Sequence, residues 1–133
     1  MSQENVERVR RAFEVFNAGQ PVYSVFHPAV IYHPRSDEPD PSAHVGLDAF
    51  ERLNDGFVES FRDLRFDVLE LIDVSDRVIA STMMHGRGAA SGVSVEDPYV
   101  FVYRLRDGLV VEGWEYRTRQ EALDALKAVG LEE

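Results

Sequence analysis

Four histidines, His27, His33, His44 and His85, stand in a chain of 133 residues that contains no cysteine. Histidine changes charge near neutral pH without help from its surroundings, so it is the first candidate for taking and returning a proton. Thiol catalysis, disulfides and cysteine-ligated metal are excluded outright. His33, His85 and Glu115 have the donor types of a facial metal set. No close HxH or HExxH spacing supports one, and no metal is expected. No serine lies in a GxSxG elbow, and no glycine-rich loop follows a strand, so neither acyl-serine chemistry nor a bound cofactor is expected. His27 precedes Pro28 and reads as a packing residue, and His44 reads as exposed. Glu115 has a structural alternative, an ion pair with Arg87 or Arg117; those arginines could also bind a substrate carboxylate. Asp37 and Glu38 sit in an acidic, proline-rich loop and read as solvated, or as guards of a cavity mouth.

The stretch that must position these groups is Pro98 to Arg117, PYVFVYRLRDGLVVEGWEYR. Two apolar, β-rich runs flank Asp107-Gly108, the dipeptide suited to a type I′ turn because both residues accept positive φ. A two-residue turn pairs Arg106 with Leu109. Strict alternation then places Tyr99–Tyr116, Phe101–Trp114, Tyr103–Glu112 and Leu105–Val110 on one face. Val100–Glu115, Val102–Gly113 and Arg104–Val111 fall on the other. Both faces are largely apolar, so one must pack on helices and the other on a second sheet or a second subunit.

Earlier in the chain, Val6, Val9, Phe13 and Phe16 recur at helical spacing, with Ser2 as the expected cap and Asn17-Ala18-Gly19 as the stop. Pro21 opens a predicted short helix that His27-Pro28 closes. Residues 29–33 form a short strand. Leu47, Phe50, Leu53, Phe57 and Phe61 mark a further helix. From residue 64 the apolar period becomes two, giving four long strands. Thr118-Arg119-Gln120-Glu121 matches a capping box for a last helix that stops at Gly130. Helices grouped apart from a meandering sheet mean α+β, not a nucleotide-binding βαβ fold.

The length suits one domain. The net charge of −10 repels phosphate, so nucleic acid and anionic membranes are not expected partners. No stretch approaches a membrane span and the N-terminus lacks a signal peptide's apolar run, so a reducing cytoplasm is the expected setting.

The order of elements, together with Phe13 to Gly19 (FEVFNAG), Phe26 to Tyr32 (FHPAVIY), Ile72 to Arg77 (IDVSDR), Gly86 to Val95 (GRGAASGVSV), Arg106 to Val110 (RDGLV) and Glu115 to Leu131, resembles the SnoaL-like branch of the nuclear-transport-factor-2-like superfamily. The resemblance implies a cone-shaped α+β barrel: a curved antiparallel sheet around a pocket, covered by three to four helices, as one domain over residues 1–133. It further implies a homodimer and a cavity for a small, mostly apolar ligand. It does not imply one activity, since members include cyclases, isomerases, hydrolases, dehydratases and proteins with no known chemistry. Where the resembling steroid isomerases carry their aspartate base this chain has His33. Their protonated aspartate falls at Val100, and their helix-one tyrosine falls near Ala12. Steroid isomerisation itself is therefore not expected.

Matching positions put Val100, Val102, Gly113, Glu115 and Arg117 toward the cavity, with Ile79, Ser81, Met83, His85 and Arg87 on the adjacent strand and Phe16 on the first helix. Composition alone argues the reverse, since the bulkiest face normally joins the core, but on the resemblance Tyr99, Phe101, Tyr103 and Trp114 turn outward into a dimer interface. On this reading His33 is the base, assisted by His85 or Glu115, in an isomerisation, cyclisation or hydrolysis. The alternatives are a non-catalytic binding protein and a structural dimer with a filled core.

Overall fold

The computed structural model describes residues 2–132, with the backbone alone at Ser2; the cap expected of the Ser2 side chain lies outside what is described. The elements run α1 (Ser2–Asn17), β1 (Phe26–His33), β2 (His44–Val45), α2 (Leu47–Glu59), β3 (Phe61–Val74), β4 (Arg77–Gly88), β5 (Ser94–Arg106), β6 (Leu109–Tyr116) and α3 (Arg119–Ala128). The predicted helix after Pro21 is a single 3-10 turn, Tyr23–Val25. β1 starts at Phe26 rather than at residue 29. Pro28 has no amide to give a ladder, and the pairing of β1 breaks register between Phe26 and Ile31. His27 Nδ1 accepts the Ala29 amide there, at 2.9 Å.

The six strands form one curved, open sheet in the order β2-β1-β6-β5-β4-β3. It is mixed rather than wholly antiparallel, because β1 runs parallel to β6. The architecture is α+β with three helices.

The two apolar faces of the central strands are covered by different helices. Val6, Val9 and Phe13 of α1 and Phe50 of α2 join Phe66, Val78, Ala80, Met84, Tyr99, Phe101 and Leu105 in the main core. On the opposite face Ala122 and Leu126 of α3 close over Val74, Ile79, Val100 and Val102. The second cover is thus α3, where a further sheet or subunit was expected. The Thr118–Glu121 capping box starts that helix, with Thr118 accepting from the Glu121 amide at 3.1 Å. Asn17, at the end of α1, bonds both the amide (2.9 Å) and the carbonyl (2.8 Å) of Phe66, which ties α1 to β3.

The Asp107-Gly108 turn has positive φ at both residues, 52° and 79°, as a type I′ turn requires. Arg106 pairs with Leu109 and Leu105 with Val110. The register then shifts by one, and Arg104 pairs with Glu112, Tyr103 with Gly113, Val102 with Trp114 and Phe101 with Glu115. Val111 is the extra residue of a β-bulge. This single insertion carries Glu115 and Gly113 to the face of Phe101 and Tyr103. It sends Trp114 to the face of Val100 and Val102.

Candidate functional site

Between the sheet and the helices α1 and α2 lies a cavity of about 450 Å³, within the range of small-molecule sites. Its walls are mainly apolar: Val9, Phe13 and Phe16 from α1, Phe50, Leu53 and Phe57 from α2, and Phe66, Phe101 and Leu105 from the sheet. Polar groups enter from Tyr32, Glu38, Tyr99, Tyr103 and Glu115, and charged residues including Arg8, Asp40 and Arg52 also border the volume. The tyrosines are there because β1 and β5 alternate, and the bulge brings Glu115 to the same face.

Glu115 is the centre of the polar set. The Tyr32 hydroxyl donates to Glu115 Oε2. The backbone amide of Arg35 donates to Glu115 Oε1 at 3.2 Å. Burial raises the Glu115 carboxyl to about 7; the two hydrogen bonds and the Arg35 charge pull the other way, and the nearby Glu38 adds to the rise. Burial and then the Glu115 charge push the Tyr32 phenol well above its ordinary value. Tyr99 donates to Glu38 Oε1 at 2.8 Å and is likewise raised, first by burial and then by Glu38.

Tyr32 reaches Glu115 because residue 113 is glycine. A Cβ there would stand 2.9 Å from two carbons of the Tyr32 ring and 3.5 Å from the Tyr103 ring. The Tyr32 ring is buried and cannot easily yield. The cavity-facing side of Gly113 is thus occupied by tyrosine, not open to ligand.

The loop between β1 and β2 is fixed by Arg35, only 5% exposed. Its guanidinium donates to Asp37 at 3.0 and 3.1 Å and to the Pro98 carbonyl at 2.9 Å, and it pairs with Asp97 at 3.0 Å. It also lies 4.1 Å from the centre of the Tyr99 ring, a cation–π contact. Arg117 pairs with Asp37 at 2.6 Å, outside the cavity. Burial would raise the Asp37 carboxyl, but Arg35 and then Arg117 outweigh it and hold the group below its ordinary value.

The residues expected around one volume are divided between two faces. Phe16 and Glu115 line the cavity. His33 does not. Its ring stacks on Trp114 at 5.3 Å on the opposite face, and Nε2 bonds Glu112 at 2.8 Å. It lines a separate depression with Trp114 and Arg117, which Glu115 also borders from its other side. His85 also lies away from the cavity, between Asp67 and Glu96, at 3.0 Å from each. Ile79, Val100 and Val102 are packed under α3. Ser81 pairs with Val100, and Met83, His85 and Arg87 follow on the same side of β4. Conversely Tyr99, Phe101 and Tyr103, expected outside, line the cavity, so they cannot form a dimer interface.

One cause explains these corrections. Glu115 and Gly113 do face inward, but strict alternation attaches them to Val100 and Val102. With Val111 bulged, they belong to Phe101 and Tyr103. The run Leu109-Val110-Val111 is a local break in the alternation of β6. Tyr32 and Arg35 were missed. The Tyr32 partner lies 83 residues away, and the Arg35 bond to the Pro98 carbonyl spans 63, so neither contact is visible in local sequence.

Among the described residues no group of three His, Cys, Asp or Glu side chains could hold a metal. No described helix is long and apolar enough to cross a membrane.

The chain superposes on a candidate SnoaL-like polyketide cyclase from Jannaschia sp. CCS1 with a TM-score of 0.77, at 23% identity over 96% of this chain and 94% of the other. A nuclear-transport-factor-2-like protein of unknown function from Burkholderia pseudomallei K96243 gives 0.75, at 20% identity over 93% and 97%. TerC, co-crystallised with polyporic acid, gives 0.74, at 15% identity over 93% and 98%. At these identities the likeness shows the fold. No curated protein matches significantly. The SnoaL-like domain profile, however, matches residues 9–113, most of the chain. On that match the chain belongs to the SnoaL-like domain family.

Proposed function

We propose that this protein is an acid–base enzyme for a small, mostly apolar organic molecule, and that Glu115 is its proton-transfer group. The observation that carries the reading is a carboxyl with a pKa of about 7 on the wall of an apolar cavity. Such a group is half protonated at neutral pH, so it can take a proton in one step and return it in the next. Each of its oxygens accepts one hydrogen bond, which fixes its orientation and leaves a further lone pair free. Isomerisation, cyclisation and hydrolysis are the reaction classes that fit, and the cyclase among the similar structures is consistent with them. His33 and His85 take no part, since neither lines the cavity.

The test is incubation in heavy water with a panel of apolar ketones, lactones and epoxides, followed by mass spectrometry. Wild type is expected to convert, or to deuterate, at least one compound. A panel left untouched, or one handled equally by Glu115→Gln, contradicts the reading and favours a non-catalytic binding protein.

The proposed assembly is a homodimer through the sheet face opposite the cavity. The support is Trp114, which lies on that face between His33 and Arg77, its ring 4.8 Å from the Arg77 guanidinium, and keeps part of its surface exposed beside α3. Sedimentation at micromolar concentration should give a dimer that Trp114→Glu dissociates. A monomeric wild type would remove this assembly.

A further inference from the structure

Two arginines border the cavity, Arg8 from α1 and Arg52 from α2, and each is also exposed to solvent, which places both at its mouth. Acidic residues outnumber basic ones by 24 to 14 in this chain, so a guanidinium readily finds a carboxylate, as Arg10, Arg65 and Arg104 do. Arg8 and Arg52 do not: among the described residues neither makes an ion pair or a hydrogen bond. Asp55, one turn along α2 from Arg52, accepts from the Tyr23 hydroxyl instead. Arg8 is nevertheless held in place. Its guanidinium packs on the backbone of Gly108, where a Cβ would stand 2.8 Å from Cζ, 3.0 Å from Nη1 and 3.2 Å from Nε. A positioned, unpaired guanidinium beside an apolar volume suits a carboxylate, whose two oxygens match its fork of donors. Resting on the function proposed above, we infer that the substrate is an amphipathic acid, whose apolar body fills the cavity while its carboxylate stays at the mouth on Arg8 and Arg52.

Glu115 stands far from this seat. Arg8 covers the turn that opens β6, whereas Glu115 is next to the last residue of that strand. Leu109 to Glu115 spans roughly 20 Å of extended chain. At such a separation the repulsion between a carboxylate on Arg8 and Glu115 is weak. Glu38 and Asp40 come from the loop after β1, where Glu38 accepts from Tyr99 and Asp40 from Ser42. The reverse orientation, carboxylate inward, sets like charge against Glu115 and Glu38. Arg35 gives no relief there, because its guanidinium is committed to Asp37, Asp97 and the Pro98 carbonyl. The ligand therefore enters apolar end first, and the carbon that meets Glu115 belongs to that end, remote from the carboxylate.

The probes are ω-benzoylalkanoates of graded chain length, their primary amides, which have the same shape and no charge, and acetophenone, the ketone without the chain. Calorimetric titration of wild type at low salt should show an acid bound more tightly than its amide, with a preference that shrinks as salt is added. Arg8→Gln and Arg52→Gln should each cut that preference by roughly 3- to 10-fold, between the worth of an exposed ion pair and that of a buried charge-assisted hydrogen bond. The double variant should abolish it. Both variants should bind acetophenone as wild type does, which shows that the cavity is intact. The salt dependence is read on wild type alone, so it tests the seat even where a variant misfolds. A preference that survives the double variant, or that salt leaves unchanged, overturns the inference. Acids and amides bound equally by wild type sink the carboxylate seat and leave the acid–base reading standing. Failure of wild type to bind any of the probes counts against the ligand cavity itself, and the inference falls with it.

Discussion

Glu115→Gln is expected to destroy activity and to stabilise the fold. Loss of a positioned general acid–base group typically costs about 10²- to 10⁴-fold in rate, so conversion of whichever panel compound wild type accepts should fall by at least the lower figure. Stability moves the other way, and its sign follows from the raised carboxyl. Below about pH 4.5 the group is protonated in both the folded and the unfolded chain and contributes nothing. As pH rises toward 7 the unfolded chain ionises while the folded one holds its proton, so wild-type stability falls through that window. A rise from 4.5 to about 7 corresponds to about 3 kcal/mol once the folded group has also ionised. Glutamine carries no charge at any pH and can still meet both Tyr32 and the Arg35 amide. Urea denaturation should therefore find the variant equal to wild type near pH 4 and more stable by up to about 3 kcal/mol near pH 8. Stabilities that run parallel across this range would contradict the desolvated carboxyl. A functional group that costs stability is the expected trade in an active site.

Arg35→Met should destabilise the protein by about 2 to 3 kcal/mol. Breaking a fully buried ion pair from one side costs about 3 to 5 kcal/mol, because the remaining charge is stranded. Here the side chain of Arg35 is 6% exposed, while those of Asp37 and Asp97 are 38% and 26% exposed. Water therefore recovers part of the loss. The Pro98 carbonyl also loses its donor, and the cation–π contact with Tyr99 disappears. A second readout separates this residue from a merely structural one. The Arg35 charge favours the ionised form of Glu115, so the carboxyl should titrate higher in the variant. A loss under 1 kcal/mol with unchanged titration would mean that the loop holds its place without the guanidinium.

Local chemistry made much of the fold legible. The stripe Val6, Val9, Phe13 announces α1, the Asp107-Gly108 turn fixes the tip of the hairpin, and Thr118 with Glu121 starts α3. Each depends on neighbours a few residues apart. The site depends on longer reach. Composition favoured the bulky face of β5 as the inner one, and the structure places Tyr99, Phe101 and Tyr103 there. The family resemblance placed Glu115 inward. Both hold at once only if β6 is bulged at Val111, since strict alternation makes them exclusive. The same reasoning accounts for His33. It follows Tyr32 on a strand, so one of the two must face away from the cavity, and Gly113 leaves room for the tyrosine.

The most direct measurement is a pH titration of the Glu115 carboxyl by 13C NMR, with glutamate side chains labelled and the signal assigned by its absence in Glu115→Gln. The predicted result is a midpoint near 7 that moves when acetophenone fills the cavity. A midpoint in the ordinary carboxylate range, indifferent to the ketone, would contradict both the burial of this group and its place in a ligand site.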